Sequence, residues 1–167
     1  TTPTIPRIVE EELKAGREAW KKSDNCVFCE VLEKEKSSPR FIWENNSYVV
    51  FAPWASVHPF EFWLFPKRHQ CCLLDLTRAE VKALAEALRV SLGALNRLLR
   101  DPPYNFGFHQ ICARGASDYY HWHLEVYPRL TIWAGFEKST GTFINVVSPE
   151  DAAESLREAA TEEKKKL

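Results

Sequence analysis

The chain has 167 residues, a formal net charge of -1 from 22 Lys and Arg against 23 Asp and Glu, 45% hydrophobic and 13% aromatic residues, five cysteines and no methionine. This is one domain's length with enough apolar content to bury a core, which excludes a disordered tail. The near-zero charge gives no electrostatic reason to expect nucleic acid or an anionic membrane as partner, and no apolar run approaches the ~20 residues of a membrane helix.

Thr1 to Pro6, with two prolines and three threonines, reads as an extended arm. From Arg7 to Lys22, charged residues alternate with Ile8, Val9, Leu13 and Trp20, as in a short helix with one buried stripe. Phe41-Ile42-Trp43, Tyr48 to Phe51 and Phe60 to Phe65 are aromatic and β-branched; they read as strands, the first two joined as a hairpin through Asn45-Asn46. Thr77-Arg78-Ala79-Glu80 is a capping box, and the helix it opens carries Val81, Leu84, Ala85, Leu88, Leu92, Leu95 and Leu99 on one face until Pro102-Pro103. Strands are expected at Tyr104–Cys112 and His121–Tyr127, on either side of a polar loop at Arg114 to Asp118. A glycine-punctuated stretch, Ala134 to Val147, leads to Ser148-Pro149-Glu150-Asp151, a helix start with proline in its first turn. Glu162 to Lys166 is expected to be a solvated, frayed end.

This order predicts an α+β fold, an antiparallel sheet with helices packed on one face. It is expected to form a single domain: an N-terminal arm and helix over 1–22, the sheet, long helix and a turn over 23–147, and a C-terminal helix over 148–167. There is no internal repeat, low-complexity tract or second-domain linker.

Two groups of residues can carry chemistry. Cys26-Val27-Phe28-Cys29 places two thiols where both can grip one ion, and His69 and His121, at the end of one predicted strand and the start of another, can complete a tetrahedral zinc site. Four protein ligands leave no open position, so such a zinc is structural. The alternative is a buried pair of small apolar cysteines beside unrelated histidines. In His121-Trp122-His123-Leu124-Glu125, alternate residues share a sheet face, which sets His121, His123 and Glu125 opposite Trp122, Leu124 and Val126. An imidazole so placed can be a nucleophile, a metal ligand or a donor to phosphate, or it can belong to a solvent-facing strand. His58, in a loop, is expected to be exposed, and His109 to be a satisfied, half-buried histidine. Five cysteines with Cys71 and Cys72 adjacent make a poor disulfide framework, so Cys71, Cys72 and Cys112 are expected simply to pack, in a reducing, cytoplasmic compartment.

The series Cys26-x-x-Cys29, Pro53-Trp54-Ala55, His58-Pro59-Phe60-Glu61, Pro66-Lys67-Arg68-His69, Asp101 to Asn105, His121-Trp122-His123-Leu124-Glu125, Ala134-Gly135-Phe136-Glu137, Ile144-Asn145 and Ser148 to Asp151 resembles the galactose-1-phosphate uridylyltransferase family of the histidine-triad superfamily, and more narrowly its C-terminal half. Thr1 to Glu12 resembles the segment that follows the His-Pro-His catalytic motif of the first half, a motif this sequence lacks; together with the threonine start and missing methionine, this suggests a piece of a longer polypeptide. The resemblance implies a structural zinc on Cys26, Cys29, His69 and His121. Relatives that bind iron instead would use the positions of Glu11, His109, His123 and Glu125, the last being histidine in those relatives. It also implies sugar-phosphate contacts from Ala134, Gly135, Phe136, Glu137 and Asn145, and uridylyl exchange between UDP-glucose and galactose 1-phosphate through a uridylyl-histidine on the other half. No catalytic residue is then expected on this chain, which would be inactive alone. Its expected partners are the N-terminal half, a second copy in a homodimer, and sugar nucleotide and hexose phosphate. Two other readings are a stand-alone homodimeric histidine-triad hydrolase or sugar-nucleotide phosphorylase using His123, and a zinc-stabilised interaction module.

Overall fold

A computed structural model describes residues 4–112 and 117–167. Its elements are α1 (Arg7–Ser23), α2 (Val27–Lys36), β1 (Phe41–Glu44), β2 (Tyr48–Phe51), β3 (Phe62–Pro66), α3 (Arg78–Leu99), β4 (Tyr104–His109), β5 (His123–Pro128), α4 (Gly135–Thr140) and α5 (Pro149–Lys164). The strands form one antiparallel sheet in the order β1-β2-β3-β5-β4, the expected α+β architecture.

The period-2 pattern of the strands assigns each face. Tyr48 and Val50, Phe62 and Leu64, and Trp122, Leu124 and Val126 point into the main core, against Ala87, Val90, Ala94 and Leu95 of α3 and Ala153, Leu156 and Ala160 of α5. Helices α3 and α5 therefore cover one face, but the expectation of helices on one face only is corrected by α2, which packs on the other because Phe28, Val31 and Leu32 need apolar cover. Thr77 caps α3 with its hydroxyl on the Glu80 N–H, and Ser148 caps α5 through Asp151. The opposite face carries Val49, Phe51 and Phe65, and α2 lays Leu32, with Phe28 and Val31, across them.

Several expectations are corrected. The helix α2 was not expected; its Phe28, Val31, Leu32 and Glu35 recur at helical spacing and seat it on β2. The strand expected over Tyr104–Cys112 ends at His109, because the Gln110 side chain turns to accept the Leu73 N–H (3.0 Å) and the Ile111 N–H bonds Cys71 O (2.9 Å). Cys72 and Cys112, expected only to pack, are joined by a disulfide. The end expected to fray at Glu162 to Lys166 is helical through Lys164, since Glu163 is buried and bonds Arg97 Nε at 3.0 Å. The loop expected at Arg114 to Asp118 lies partly outside the described residues, as does the start of the arm.

Candidate functional site

Three of the four expected zinc ligands, Cys26, Cys29 and His69, come together, and the fourth, His121, lies beside Cys29. Cys26 is the N-cap residue of α2, and Cys29 follows one turn later. His69 leaves the end of β3, and His121 sits two residues before β5. Cys29 Sγ lies 3.1 Å from His69 Nδ1 and 3.4 Å from His121 Nδ1. Cys26, Cys29 and His69 have ligand atoms within 4.8 Å of one another, and the His69 and His121 rings are 5.1 Å apart. The hydrogen bond from the Cys29 thiol, with help from His69, holds Cys26 well below the usual thiol range against its burial, while the Cys26 thiolate pushes Cys29 up. Burial, with His69 and His123 adding to it, lowers His121 to about 3, which keeps it a neutral imidazole, the form that binds metal. Two sulfurs and the His69 imidazole stand around one point, with His121 in reach of Cys29 but outside that group, and thiolate with imidazole is a donor set suited to zinc. A cleft of about 770 Å³, lined by Trp20, Glu30, His69 and Asp118 among others, opens beside it.

Next along the same face is a second cluster. His123 is 1% and Glu125 3% exposed. His123 Nε2 lies 3.1 Å from Glu125 Oε1, and the Tyr127 hydroxyl donates to Glu125 Oε2. From α1, Glu12 accepts from Tyr120 OH at 2.8 Å and pairs with His109 Nδ1 at 2.9 Å, while His109 Nδ1 is 3.5 Å from Glu125. Burial opposes a charge on His109, but the hydrogen bond to Glu12 and the nearby Glu125 carboxylate outweigh it and raise its affinity for a proton. Burial would raise Glu125, yet His123 and His109 hold it below the usual carboxylate range. The ligand atoms of Glu12, His109, His123 and Glu125 also lie within 4.8 Å of one another, so this cluster can hold a cation.

The carboxylate from α1 is Glu12, which corrects the expectation of Glu11: Glu11 points to solvent and pairs with Arg7 at 2.8 Å. His109, expected to be a satisfied histidine, is both satisfied and part of the cluster. The sequence signal that singles out Glu12 is its place one turn after Val9 and one turn before Gly16, the two buried residues of α1. At Gly16 a Cβ would come 2.6 Å from Tyr119 O, so glycine lets α1 approach closely enough for Glu12 to reach the sheet. His123 is closed in by aromatic rings, with Phe65 stacked at 4.6 Å and Trp63 at 5.5 Å.

Of the expected sugar-phosphate residues, Ala134 to Glu137 form the N-cap and first turn of α4, and Asn145 lies apart on the returning chain. Ala134, Gly135 and Phe136 are exposed; Glu137 accepts the Ala134 N–H at 3.0 Å. Asn145 Nδ2 is tied to Ser56 O at 3.0 Å and His58 O at 3.3 Å, which fixes the returning chain against the loop before β3. Beside α4 a cavity of about 700 Å³ reaches the sheet, lined by Trp63, Glu125, Tyr127, Arg129, Trp133 and Lys138 among others. His58, expected to be exposed, is half-buried there, its ring 5.5 Å from Tyr127 and 5.8 Å from Trp133.

An Arabidopsis thaliana ADP-glucose phosphorylase is 33% identical over 161 residues, covering 95% of this chain and 45% of the relative. A Thermotoga maritima galactose-1-phosphate uridylyltransferase is 32% identical over 169 residues, covering 96% of this chain and 53% of the relative. A uridylyltransferase structure superposes with a TM-score of 0.89 at 33% identity, covering 96% of this chain and 52% of that one. Over about 95% of its length the chain is homologous to galactose-1-phosphate uridylyltransferases and an ADP-glucose phosphorylase. It spans about half the length of the curated relatives it matches, the C-terminal half. These relatives are nucleotidyltransferase and phosphorylase enzymes. A zinc-bound histidine triad protein from Mycobacterium smegmatis, 19% identical with a TM-score of 0.59 over 85% of this chain and 97% of its own, shares the fold. No family model matches the chain. Among the described residues no helix is long and apolar enough to cross a membrane.

Proposed function

We propose that this chain is the C-terminal half of a galactose-1-phosphate uridylyltransferase, which exchanges UMP between UDP-glucose and galactose 1-phosphate in the cytoplasm. In this reading the nucleophilic histidine lies in an N-terminal half with a His-Pro-His motif, and the present half contributes structural zinc and contacts to the sugar phosphate, working as a dimer. The observation that carries it is the state of His123. As the middle position of the triad-like strand it is the candidate nucleophile of the stand-alone reading, yet it is almost fully buried and its Nε2 faces Glu125 at 3.1 Å. A nucleophile must present a free lone pair to phosphorus, and a second anion at the same atom opposes an incoming phosphate.

Cys26, Cys29, His69 and His121 would hold the zinc, which supplies structural cross-linking of α2 to the ends of β3 and β5. Without an open coordination position it takes no part in the transfer. The residues at α4 would receive the hexose: Glu137 can accept from sugar hydroxyls, and Lys138 and Arg129 at the rim of the neighbouring cavity can meet the phosphate.

The test is to incubate the zinc-loaded chain with UDP-glucose and galactose 1-phosphate and follow nucleotide exchange by anion-exchange chromatography. No exchange is expected from the chain alone, and exchange is expected once a chain carrying the His-Pro-His half is added. Exchange by the chain alone that disappears in His123→Ala overturns the reading. Elemental analysis is expected to find one zinc per chain, lost in Cys26→Ser; a second equivalent lost in Glu12→Gln would assign a cation to the Glu12 cluster. The 33% identity to the ADP-glucose phosphorylase favours one second reading, a sugar-nucleotide phosphorylase half with adenine in place of uracil. Running the same assay with ADP-glucose and inorganic phosphate separates the two.

A further inference from the structure

The disulfide lies directly behind the histidine side of the metal centre. Cys72 follows His69 by three residues on the segment that leaves β3, and Cys112 follows β4. Three hydrogen bonds stitch the same region together: Ile111 N–H to Cys71 O at 2.9 Å, Leu73 N–H to Gln110 Oε1 at 3.0 Å, and Trp122 N–H to Gln70 O at 2.9 Å. The last of these ties the His69 segment to the residue after His121. Ser117, five residues beyond Cys112, holds the outer nitrogen of His69 through its carbonyl at 2.5 Å. The two cysteine ligands stand on α2, a separate element. The metal centre thus has a thiolate side fixed by a helix and an imidazole side whose backbone is anchored by the disulfide.

We infer that Cys72–Cys112 is a redox-cleavable tie that sets how tightly the centre holds zinc; the inference rests on the zinc reading above. The geometry makes the bond reachable from one end, since Cys112 is exposed while Cys72 is buried. A dithiol reductant attacks Cys112 Sγ, the S–S bond breaks, and the Cys72 thiolate leaves and takes up a proton. The second thiol of the reductant then displaces Cys112, so the protein gains two electrons and two protons and the reductant becomes a disulfide. Once the tie is cut, the segment that carries His69 is held to its neighbours by hydrogen bonds alone, and the imidazole side loses its covalent anchor. Outer groups that orient metal ligands commonly set affinity by about 10–100-fold.

The test uses the wild-type chain. Zinc affinity is measured by competition with a chromophoric chelator before and after treatment with a phosphine reductant, which is converted to phosphine oxide by water as the disulfide becomes two thiols. Thiol counting confirms cleavage. Zinc binding is expected to weaken about tenfold or more on reduction. A Cys72→Ser/Cys112→Ser variant should match the reduced protein and ignore the phosphine, and Cys71→Ser, which keeps the bond, should respond as the wild type does. Unchanged affinity after confirmed cleavage overturns the redox link and leaves the zinc reading standing. No zinc binding in either state overturns both.

Discussion

Along β5 the two faces of the sheet are buried to the same degree by opposite chemistry. On β5 and the two residues before it, Trp122, Leu124 and Val126 are sealed under α3 and α5, while His121, His123 and Glu125, alternating with them, are no more than 3% exposed on the other side. The first face needs only apolar area and close packing. The second must give its polar atoms partners, and Glu12, His109, Tyr120 and Tyr127 link His123 and Glu125 into a network, while the buried His121 Nε2 has no hydrogen-bond partner among the described residues. The apolar face can tolerate a lost contact as a cavity, whereas on the polar face the loss of one group leaves another orphaned. Both Cys/His/Glu groups among the described residues that could hold a cation lie on the face where the polar atoms are hardest to satisfy.

Breaking the apolar face is expected to have the larger effect. Trp122 is fully buried, with Tyr48 at 5.9 Å and Phe108 at 6.1 Å between ring centres. Trp122→Ala should cost about 3–5 kcal/mol, through lost burial and the cavity left behind, read as a fall in the urea midpoint with an unchanged slope. On the polar face, Glu125→Ala should cost about 1–3 kcal/mol, because the His123 nitrogen and the Tyr127 hydroxyl then lose their shared carboxylate. The difference in kind appears in the double variant: His123→Ala/Glu125→Ala should cost clearly less than the sum of the two single changes, since removing both partners removes the orphan. Strict additivity would mean that the network is not coupled.

The apolar face was the more legible in sequence. Leucines at helical spacing behind a capping box, and aromatic runs broken at Asn45-Asn46, specify their own packing side. The Cys26, Cys29 and His69 group that could hold a metal was legible for a chemical reason, because the spacing Cys26-x-x-Cys29 suits one ion. What was hidden depended on choices made by tertiary contacts. Glu10, Glu11 and Glu12 are the same residue three times over, and only the docking of Val9 and Gly16 against the sheet decides which one turns inward. The partnership of Cys72 and Cys112 spans 40 residues of sequence, and their meeting depends on how β3 and β4 lie across the sheet. The helix α2 was obscured because its first turn carries the cysteine pair, which reads as a metal knuckle before it reads as a helix.

A smaller effect separates burial from charge at the rim of the apolar face, where α3 begins. Arg68, at the end of the β3 segment, donates to Glu80 at 2.8 and 3.0 Å, and Glu80 also accepts the Thr77 N–H at 2.8 Å. The Arg68 hydrogen bond, with Thr77 helping, lowers the Glu80 carboxyl from 4.5 to about 2. The unfolded chain therefore takes up a proton at this site below pH 4.5, while the folded one resists until about pH 2. The contribution to stability is fully present above pH 4.5 and is lost as the pH falls towards 2. The Arg68 side chain is 50% exposed, so solvent screens the pair and its worth is at most about 1 kcal/mol. Urea titrations of the wild type and Glu80→Gln from pH 6 to pH 2 should show the variant weaker by that amount at the neutral end, with the two curves converging in acid. A gap that stays constant across the range would assign the loss to helix capping, which an uncharged glutamine also weakens, and would remove charge from the account of how α3 is anchored.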